Sequence, residues 1–306
     1  MKISIVTNLY LIITLSLSSG CKNVDYTPVS LDHKASSWFK NDNFPYSLKT
    51  PSRELKMPMV LKEISGLCYL KDKDQLVAIN DELGNIYLIN PHTSEVEKKI
   101  RFQRFGDYEA VEYVNDKFFV SNSKGELRMI NVGEDVDVKL LRTRLGYHNN
   151  VEGMGYDPEN KRLLLACKDQ PHLDGAIKLK GKAVYAFSLS EMKLDTTPIF
   201  IVKDKVLLKW FEVNVGKLTN KIKDRISSFS PSAIAKHPTS GLLYVTSARG
   251  DMLAVFDENG NVKHVELVRR YMEQIEGICF DSKATLYISS EGVSKKGRIF
   301  VFAPLE

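Results

Sequence analysis

A short phrase that recurs at a nearly constant interval is the feature that most restricts how this chain can fold. Five copies begin at residues 63, 107, 150, 230 and 274, and they read EISGLCYL, DYEAVEYV, NVEGMGYD, SPSAIAKHP and QIEGICFD. The position they share is Ser65, Glu109, Glu152, Ser232 and Glu276, so that successive copies lie 44, 43, 80 and 44 residues apart. A period near 44 residues is typical of β-propellers, in which each blade is a four-stranded sheet.

The residues between these copies support this interpretation. Each period holds short segments rich in Val, Ile, Leu, Tyr and Phe, separated by Asn, Asp, Gly and Lys, as expected for strands joined by turns. The last period has only three such segments, and RELKMPMV at 53–60 precedes the first copy. If 53–60 supplies the missing outer strand, the ring closes without an open edge. We therefore predict an all-β fold, a five-bladed β-propeller of four-stranded blades closed by an N-terminal strand.

The 80-residue interval leaves a six-bladed propeller as the alternative. We favour five blades, because the third period already has its four strands by about residue 203. Residues 204–229 differ in pattern, with apolar side chains at partly helical spacing and lysines between them. We predict a partly helical insertion there, which is either a lid or partner surface or simply a packed excursion of the chain.

The first 21 residues resemble a bacterial lipoprotein signal peptide. Lys2 precedes an apolar run from Ile3 to Leu17, and LSSGC ends at Cys21, which is the pattern of a lipidation site. An ordinary cleaved signal is the alternative. We expect residues 22–50 to form a flexible tether and 51–306 the propeller domain. The protein would then be lipid-anchored in the bacterial cell envelope, outside the cytoplasm, with the membrane as a partner.

Charge and cysteine content narrow the function classes. The chain has 43 Lys and Arg against 38 Asp and Glu, and no segment concentrates the basic residues, so nucleic acid is not an expected partner. Cys68, Cys167 and Cys279 are expected to be buried free thiols rather than a disulfide framework. The six histidines lack zinc-ligand spacing, although His148 could reach the site described next. No nucleophile elbow, phosphate loop or dinucleotide motif is present.

The recurring acidic residues predict a site at one end of the propeller channel. In a blade, the loop that enters the first strand and the loop that leaves the second lie on the same face. Polar residues at these positions should therefore gather around one mouth: Ser65, Asp81, Glu82, Glu109, Asn122, Glu152, Lys168, Asp169, Ser232, Arg249, Glu276 and Glu291. The small residue after each aligned position, as in Gly66 and Gly277, should let crowded inner strands approach closely.

Three glutamates facing one another would repel and raise one another's pKa unless a cation lies between them. Lys168 and Arg249 are candidate counter-ions from the protein, and Ca²⁺ is the candidate from outside, because the available ligands are oxygens. We therefore predict Glu109, Glu152 and Glu276 as metal ligands. A solvated ring of charges, stabilised by the two basic residues, is the structural alternative.

The aligned phrases, above all EISGL, VEGMGYD, SPSAIAKHP and IEGICFD, resemble the SdiA-regulated (YjiK/CarP) family of β-propellers over about residues 50–305. The resemblance implies an exported or envelope-associated bacterial propeller with links to calcium homeostasis and a loose likeness to calcium-dependent phytases. Glu109, Glu152 and Glu276 match the inner-strand glutamates of the family, and Ser65 and Ser232 match its serines.

Three functions stay open from the sequence. The first is a binding module that is not an enzyme, with an acidic mouth that binds Ca²⁺ or a cationic small ligand. The second is a metal-dependent hydrolase of phosphate esters or lactones, in which Lys168 or Arg249 orients an anion. The third is a scaffold that binds a protein through the insertion at 204–229.

Overall fold

Five antiparallel sheets make up the protein in the computed structural model, which describes residues 44–268, 271–293 and 295–305. The strands form where branched aliphatic and aromatic side chains alternate with short turns of Asn, Asp and Gly, because these side chains pack well on a pleated surface. Each of the five aligned phrases begins the innermost strand of its sheet.

The strands follow one another from the inside to the outside of each blade. The chain first forms β1 (Arg53–Lys56). Blade one is β2 (Ile64–Leu70), β3 (Gln75–Asn80), β4 (Asn85–Ile89) and β5 (Val96–Arg101). Blade two is β6 (Tyr108–Val114), β7 (Lys117–Asn122), β8 (Leu127–Val132) and β9 (Val136–Leu141). Blade three is β10 (Val151–Asp157), β11 (Arg162–Cys167), β12 (Lys182–Ser188) and two short outer pieces, β13 (Lys193–Leu194) and β14 (Phe200–Val202).

The last two blades follow a helical insertion. The insertion consists of α1 (Asp204–Asn214) and α2 (Asn220–Ser227). Blade four is β15 (Ala233–Lys236), β16 (Leu243–Ser247), β17 (Met252–Phe256) and β18 (Val262–Leu267). Blade five is β19 (Ile275–Phe280), β20 (Leu286–Ser290) and β21 (Arg298–Phe302), with β1 as its outer strand. Short 3₁₀ turns occupy Met59–Leu61 and Lys71–Lys73.

The ring closes as the sequence predicts. β1 lies antiparallel to β21, with Arg53 opposite Val301 and Lys56 opposite Arg298. The inner strands contact one another in the cyclic order β2, β6, β10, β15 and β19, and β19 returns to β2. The five-bladed all-β propeller is therefore confirmed, and the six-bladed alternative is wrong. The described residues contain one more strand than expected, because the outer strand of blade three is interrupted into β13 and β14, which both pair with β12.

The core lies between neighbouring blades rather than inside any single sheet. Five clusters of buried side chains fill the five gaps between adjacent blades. The inner strands approach closely, since a Cβ at Gly66 would lie 2.8 Å from the Val111 nitrogen and 2.9 Å from the Ala110 Cα of the next blade. Cys68, Cys167 and Cys279 are buried free thiols, as predicted.

The predicted helical insertion is confirmed, and it packs on the flank of blade four. Leu207 and Phe211 of α1 are buried in the core between blades three and four, and α1 contacts the outer strand β18. At the start of α2, the Thr219 hydroxyl accepts a hydrogen bond from the Ile222 N–H (3.4 Å), which caps the helix. Arg225 then donates from α2 to the carbonyls of Gly250 (3.3 Å), Asp251 (2.5 Å) and Val268 (3.1 Å).

The N-terminal part of the described chain is packed before β1 begins. Phe44, Tyr46 and Leu48 are buried against blades four and five, so the packed domain starts by residue 44 rather than at 51. The predicted signal peptide, Cys21 and the earlier part of the predicted tether lie outside the described residues. Within the described ranges, no helix has the length and apolar content that a bilayer crossing requires.

Candidate functional site

The aligned position at the start of the inner strands is a β-bulge in four blades. The pairing register shifts across Ser65, Glu109, Glu152 and Glu276, so each of these residues has no partner on the neighbouring strand. In the remaining blade, blade four, the aligned residue Ser232 lies directly before β15. A bulge interrupts the alternation of side chains and directs one of them away from the sheet. This local geometry places carboxyl groups from three blades at one end of the ring.

Glu152 and Lys168 form the centre of the site. The Lys168 Nζ lies 2.6 Å from Glu152 Oε1, and both side chains are largely buried. The Asn150 amide also donates to Glu152 Oε1 (3.1 Å), whereas Glu152 Oε2 is buried and has no hydrogen-bond partner among the described residues. A buried carboxylate oxygen without a donor is costly, so this atom is the place where a ligand has most to contribute.

Glu109 and Glu276 lie close enough to the Glu152–Lys168 pair for electrostatic interactions to shift their pKa values. Burial raises the pKa of Glu109 to about 9, with further contributions from the charges of Glu152 and Asp107. Burial likewise raises the pKa of Glu276 to about 8, and Glu152 adds to this rise while Lys168 opposes it. At neutral pH these two side chains therefore keep their protons unless a cation stabilises the charged form.

Two more carboxyl groups extend the acidic cluster from the ends of second strands. Burial raises the pKa of Glu291 to about 7, and the charge of Asp81 adds to the rise. Burial and the charge of Glu63 raise the pKa of Asp81 to about 6. The Oδ1 atom of Asp81 is also buried without a hydrogen-bond partner among the described residues.

The ammonium group of Lys168 remains charged in this setting. Its burial by itself lowers the pKa, but the charges of Glu152 and Glu276 more than offset that effect, so the pKa of Lys168 is raised. Lys182, the first residue of β12, donates to the Lys168 carbonyl (2.6 Å) and has its pKa lowered by burial. The mouth therefore contains the Lys168 ammonium, paired with Glu152, and beside it the Lys182 ammonium, which binds a backbone carbonyl.

An exposed ion pair forms the rim. Arg249 Nη1 lies 3.1 Å from Asp169 Oδ1, and the Arg249 side chain is 54% exposed. The Asn150 amide donates to Asp169 Oδ2 (3.1 Å) as well as to Glu152, so it joins the rim to the centre.

Four of the predicted site residues do not join this cluster. The Ser65 hydroxyl donates to the Tyr108 carbonyl (2.7 Å), and the Ser232 hydroxyl donates to the Ile275 carbonyl (2.6 Å). Each accepting residue precedes a glutamate of the next blade, so these serines connect neighbouring inner strands. The Asn122 side chain closes its own turn: its amide donates to the Glu126 carboxylate (3.0 Å), and its carbonyl oxygen accepts from the Glu126 N–H (2.9 Å). Glu82 is exposed.

Three further residues near the mouth, which the sequence predictions did not include, share one position in the repeat. Glu63, Asp107 and Asn150 lie two residues before Ser65, Glu109 and Glu152, and the other two copies have Ser230 and Gln274 there. A polar residue at this position in all five copies was a signal for further mouth residues. Lys182 had no comparable signal, because it lies beyond a long loop after β11.

The described side chains at the mouth do not form a ready-made metal site. Among the residues that the structure describes, no three or more His, Cys, Asp or Glu side chains are arranged to hold a metal ion. The oxygen donors suit Ca²⁺ by type, but the Lys168 ammonium already lies on Glu152. His148 is engaged beside the mouth, with Nε2 3.0 Å from the His172 carbonyl and Nδ1 3.4 Å from Asp174.

Comparisons with known proteins identify the family and the fold. The profile of a protein family described as SdiA-regulated matches residues 45–293. Among solved structures, the chain is similar to a Myxococcus xanthus glutaminyl cyclase (12% identity, TM-score 0.55, covering 84% of this chain and 97% of that one). Two others are a luciferin-regenerating enzyme (10%, TM-score 0.48, 82% and 93%) and a gluconolactonase from Xanthomonas campestris (11%, TM-score 0.47, 78% and 72%). At 12% identity, the first likeness supports the propeller fold and nothing about activity.

Proposed function

The chain belongs to the SdiA-regulated family, and from that premise we propose that it is a binding module, not an enzyme, which takes up a cation at the acidic mouth of its propeller. One observation carries the proposal. Carboxyl groups from three blades lie around the buried Lys168 ammonium, and burial raises the pKa values of Glu109 and Glu276 to about 9 and about 8. A further positive charge at the mouth would allow these two carboxyl groups to ionise.

A cation that enters this mouth would displace protons. Glu109 and Glu276 are protonated at neutral pH before binding, and a nearby positive charge favours their ionised forms. Binding would therefore release protons, and the affinity for the cation would rise as the pH rises from about 6 to about 9. This coupling distinguishes binding at the mouth from weak attraction to surface carboxylates.

Two kinds of cation fit the chemistry of the mouth. An organic ammonium or guanidinium group is the first, because the Lys168 ammonium at 2.6 Å from Glu152 is an example of such a group held here by the protein itself. Ca²⁺ is the second, because all candidate ligands are oxygens. A calcium site would use Glu109, Glu276 and the Oε2 atom of Glu152, and it would require these side chains to move, since they are not arranged as a ready-made site among the described residues.

Titration calorimetry of the chain from residue 22 tests the proposal. Ca²⁺ and arginine amide serve as probes, each in two buffers that differ in ionisation enthalpy, so that proton release is measured directly. We expect binding with proton release in the wild type and none in Glu109→Gln/Glu152→Gln. Glu134→Gln, in the exposed β8–β9 turn, is the matched control. If neither probe binds to the wild type, the proposal is wrong.

A metal-dependent hydrolase of phosphate esters or lactones remains a second hypothesis. The observation in its favour is Glu291, because a pKa raised to about 7 suits a general base at neutral pH. A panel of phosphomonoesters and lactones, assayed with Ca²⁺, tests it. Turnover that Glu276→Gln and Glu291→Gln abolish would support the hydrolase, and equal background rates in all three proteins would exclude these substrates.

An interaction scaffold is the third hypothesis, with the insertion as its binding surface. Val213 and Val215, at the end of α1, are 56% and 64% exposed, which is unusual for valine. Capture from envelope extracts should then fail with Val213→Asp and persist with Glu152→Gln. The reverse result would place the partner at the mouth.

We also propose that the protein is lipid-anchored in the cell envelope through Cys21, as LSSGC indicates. Mass spectrometry of the mature N-terminus checks this directly. Cys21→Ser should move the protein from the membrane fraction to the soluble fraction, and retention in the membrane would contradict the anchor.

A further inference from the structure

A groove on the outer flank of blade four has no partner among the described residues. It lies between α1 and β18 and has a volume of about 370 Å³. Its lining includes Trp210, Phe211 and Val215 on one side and His264 and Leu267 on the other. β18 is the outermost strand of its sheet, and no described strand pairs with its free edge. We call this feature the blade-four groove.

The described chain begins beside this groove. The Phe44 ring is stacked on the His264 ring, with centroids 4.4 Å apart and an interplanar angle of 4°. His264 in turn meets Trp210 edge-on, with centroids 5.3 Å apart. The Phe44 and Trp210 rings are therefore no more than about 10 Å apart. The chain that precedes Phe44 must leave from this place.

Several contacts hold Phe44 where it is. The Tyr46 hydroxyl donates to the Ala284 carbonyl (2.6 Å) and lies 2.8 Å from His237 Nε2. Because the tyrosine proton is used on Ala284, His237 must donate from Nε2. Its Nδ1 accepts from the Ser240 N–H (3.2 Å), so the ring is neutral, which agrees with the lowering of its pKa to about 4 by burial. The Leu48 carbonyl accepts from the Tyr271 hydroxyl (2.7 Å). The starting point of the preceding segment is thus fixed on blades four and five.

The segment before Phe44 contains two adjacent large aromatic residues, Trp38 and Phe39, among polar neighbours. Six residues of extended chain span about 20 Å, which is ample to reach a groove about 10 Å away. We propose that Trp38 and Phe39 dock in the blade-four groove. The two aromatic rings would cover Trp210, Val215 and Leu267, and the backbone could pair with the free edge of β18 as an added strand.

Docking of this segment would determine where the propeller is attached to its membrane anchor. Only residues 22–37 would then separate the propeller from an anchor at Cys21, and the chain would leave from the flank of blade four. The propeller would therefore be tethered from one side, at the flank of blade four. The docking itself does not depend on cation binding or on lipid at Cys21.

Hydrogen exchange measured on the chain from residue 22 tests the proposal. We expect slower exchange in β18 and in the last turn of α1 for the wild type than for Trp38→Ser/Phe39→Ser. A synthetic peptide of residues 30–43, added to that double variant, should restore the slow exchange. Trp210→Ala should weaken peptide binding by about tenfold, and a peptide with serine at 38 and 39 should not bind.

Other results would contradict the docking. If Trp210→Ala disturbs the fold, the exposed substitution Val215→Asp replaces it as the groove variant. Equal exchange in the wild type and the double variant, with no binding of the peptide at millimolar concentration, would overturn the proposal. Slow exchange that depends on protein concentration, with dimers seen by sedimentation, would overturn it as well and identify a second copy as the occupant.

Discussion

Strand β10 has a buried carboxylate at each end, and the protein treats the two in opposite ways. At the mouth, Glu152 has the Lys168 ammonium on one oxygen, while its other oxygen has no hydrogen-bond partner among the described residues. At the far end, Asp157 receives hydrogen bonds from Lys236 Nζ (2.6 Å), Arg162 Nε (2.8 Å) and Asn160 Nδ2 (2.8 Å). Both groups are well buried, with 6% and 2% exposure.

Their pKa values differ in direction for that reason. Burial raises the pKa of both groups, but at Asp157 the hydrogen bonds from Lys236, Asn160 and Arg162 outweigh burial, and the pKa falls well below its usual range. At Glu152 the effect of burial exceeds that of Lys168, so the pKa stays raised. The far end therefore resembles a completed structural ion pair, whereas the mouth is an electrostatically incomplete site, which is what a binding function requires.

Removing the Asp157 carboxylate should cause the largest loss of stability. Asp157→Ala leaves the mostly buried Lys236 and Arg162 without their shared partner, and we expect a loss of about 3 kcal/mol in the free energy of unfolding. Glu152→Gln is the corresponding change at the mouth and should alter that free energy by less than about 1 kcal/mol, because the amide oxygen of glutamine can still accept from Lys168 and Asn150, and the carboxylate oxygen that had no donor is lost. Urea denaturation of both variants makes the comparison, and equal losses would contradict it.

The pH dependence of stability should separate the two ends next. The pKa of Glu109 is raised from 4.5 to about 9 in the folded protein, so between these values the folded state holds a proton that the unfolded state has lost. Stability therefore falls as the pH rises through this window, by up to about 1.4 kcal/mol per pH unit for one group. Glu109→Gln should make this decline less steep and leave the part that Glu276 and Glu291 contribute, which a series of urea midpoints from pH 5 to pH 9 would reveal.

For Asp157 we expect the opposite dependence of stability on pH. Its folded pKa is lowered, so its stabilising effect is complete above its unfolded value of 3.8 and is lost as the pH falls below it. The same series of urea midpoints, extended below pH 4, should show this loss equally in the wild type and in Glu109→Gln, because both proteins keep Asp157. A decline at high pH that is equally steep in the wild type and in Glu109→Gln would contradict the raised pKa of Glu109.

Much of the fold could be predicted from the sequence, because each blade repeats the same inner-strand phrase. The 44-residue interval led to five blades, and the incomplete last period led to closure by β1. The break between β13 and β14 and the packing of Phe44, Tyr46 and Leu48 could not be predicted in this way. They depend on single contacts, such as those of Tyr46 with His237 and Ala284, between residues about 190 or more positions apart in the sequence.

The candidate site was predictable in position but not in bonding. The shared position of Glu109, Glu152 and Glu276 predicts that they lie at one mouth, and the three carboxyl groups lie close enough for the Glu152 charge to raise the pKa of the other two. The aligned position alone could not show that the Ser65 and Ser232 hydroxyls bind carbonyls of the next blade, because hydroxyl direction depends on the bulge. The importance of Asp157 was hidden as well, since its main partner lies 79 residues away.

Substitution of Ser65 or Ser232 should cause a smaller loss of stability, because their hydroxyls connect the inner strands of neighbouring blades. Ser65→Ala and Ser232→Ala each remove a buried hydrogen bond between neighbouring inner strands and leave a carbonyl without its donor, which should cost about 1 kcal/mol of unfolding free energy. Ser121→Ala is the control, since that buried hydroxyl has no hydrogen-bond partner among the described residues. Thermal denaturation of the three variants checks this, and a loss confined to Ser121→Ala would contradict the structural role of the serines.

Breaking the exposed ion pair between Arg249 and Asp169 at the rim should cause the smallest change in stability. Arg249→Gln breaks the ion pair with Asp169, but exposed pairs contribute little, so the free energy of unfolding should change by less than about 0.5 kcal/mol. Its effect should appear instead in binding, because removing a positive charge beside an acidic mouth speeds the approach of cations, most clearly at low salt. Stopped-flow association of a cationic probe, measured for the wild type and Arg249→Gln at two salt concentrations, separates the two effects. A large loss of stability without any change in the association rate would mean that Arg249 belongs with Asp157 among the structural ion pairs rather than with Glu152 at the mouth.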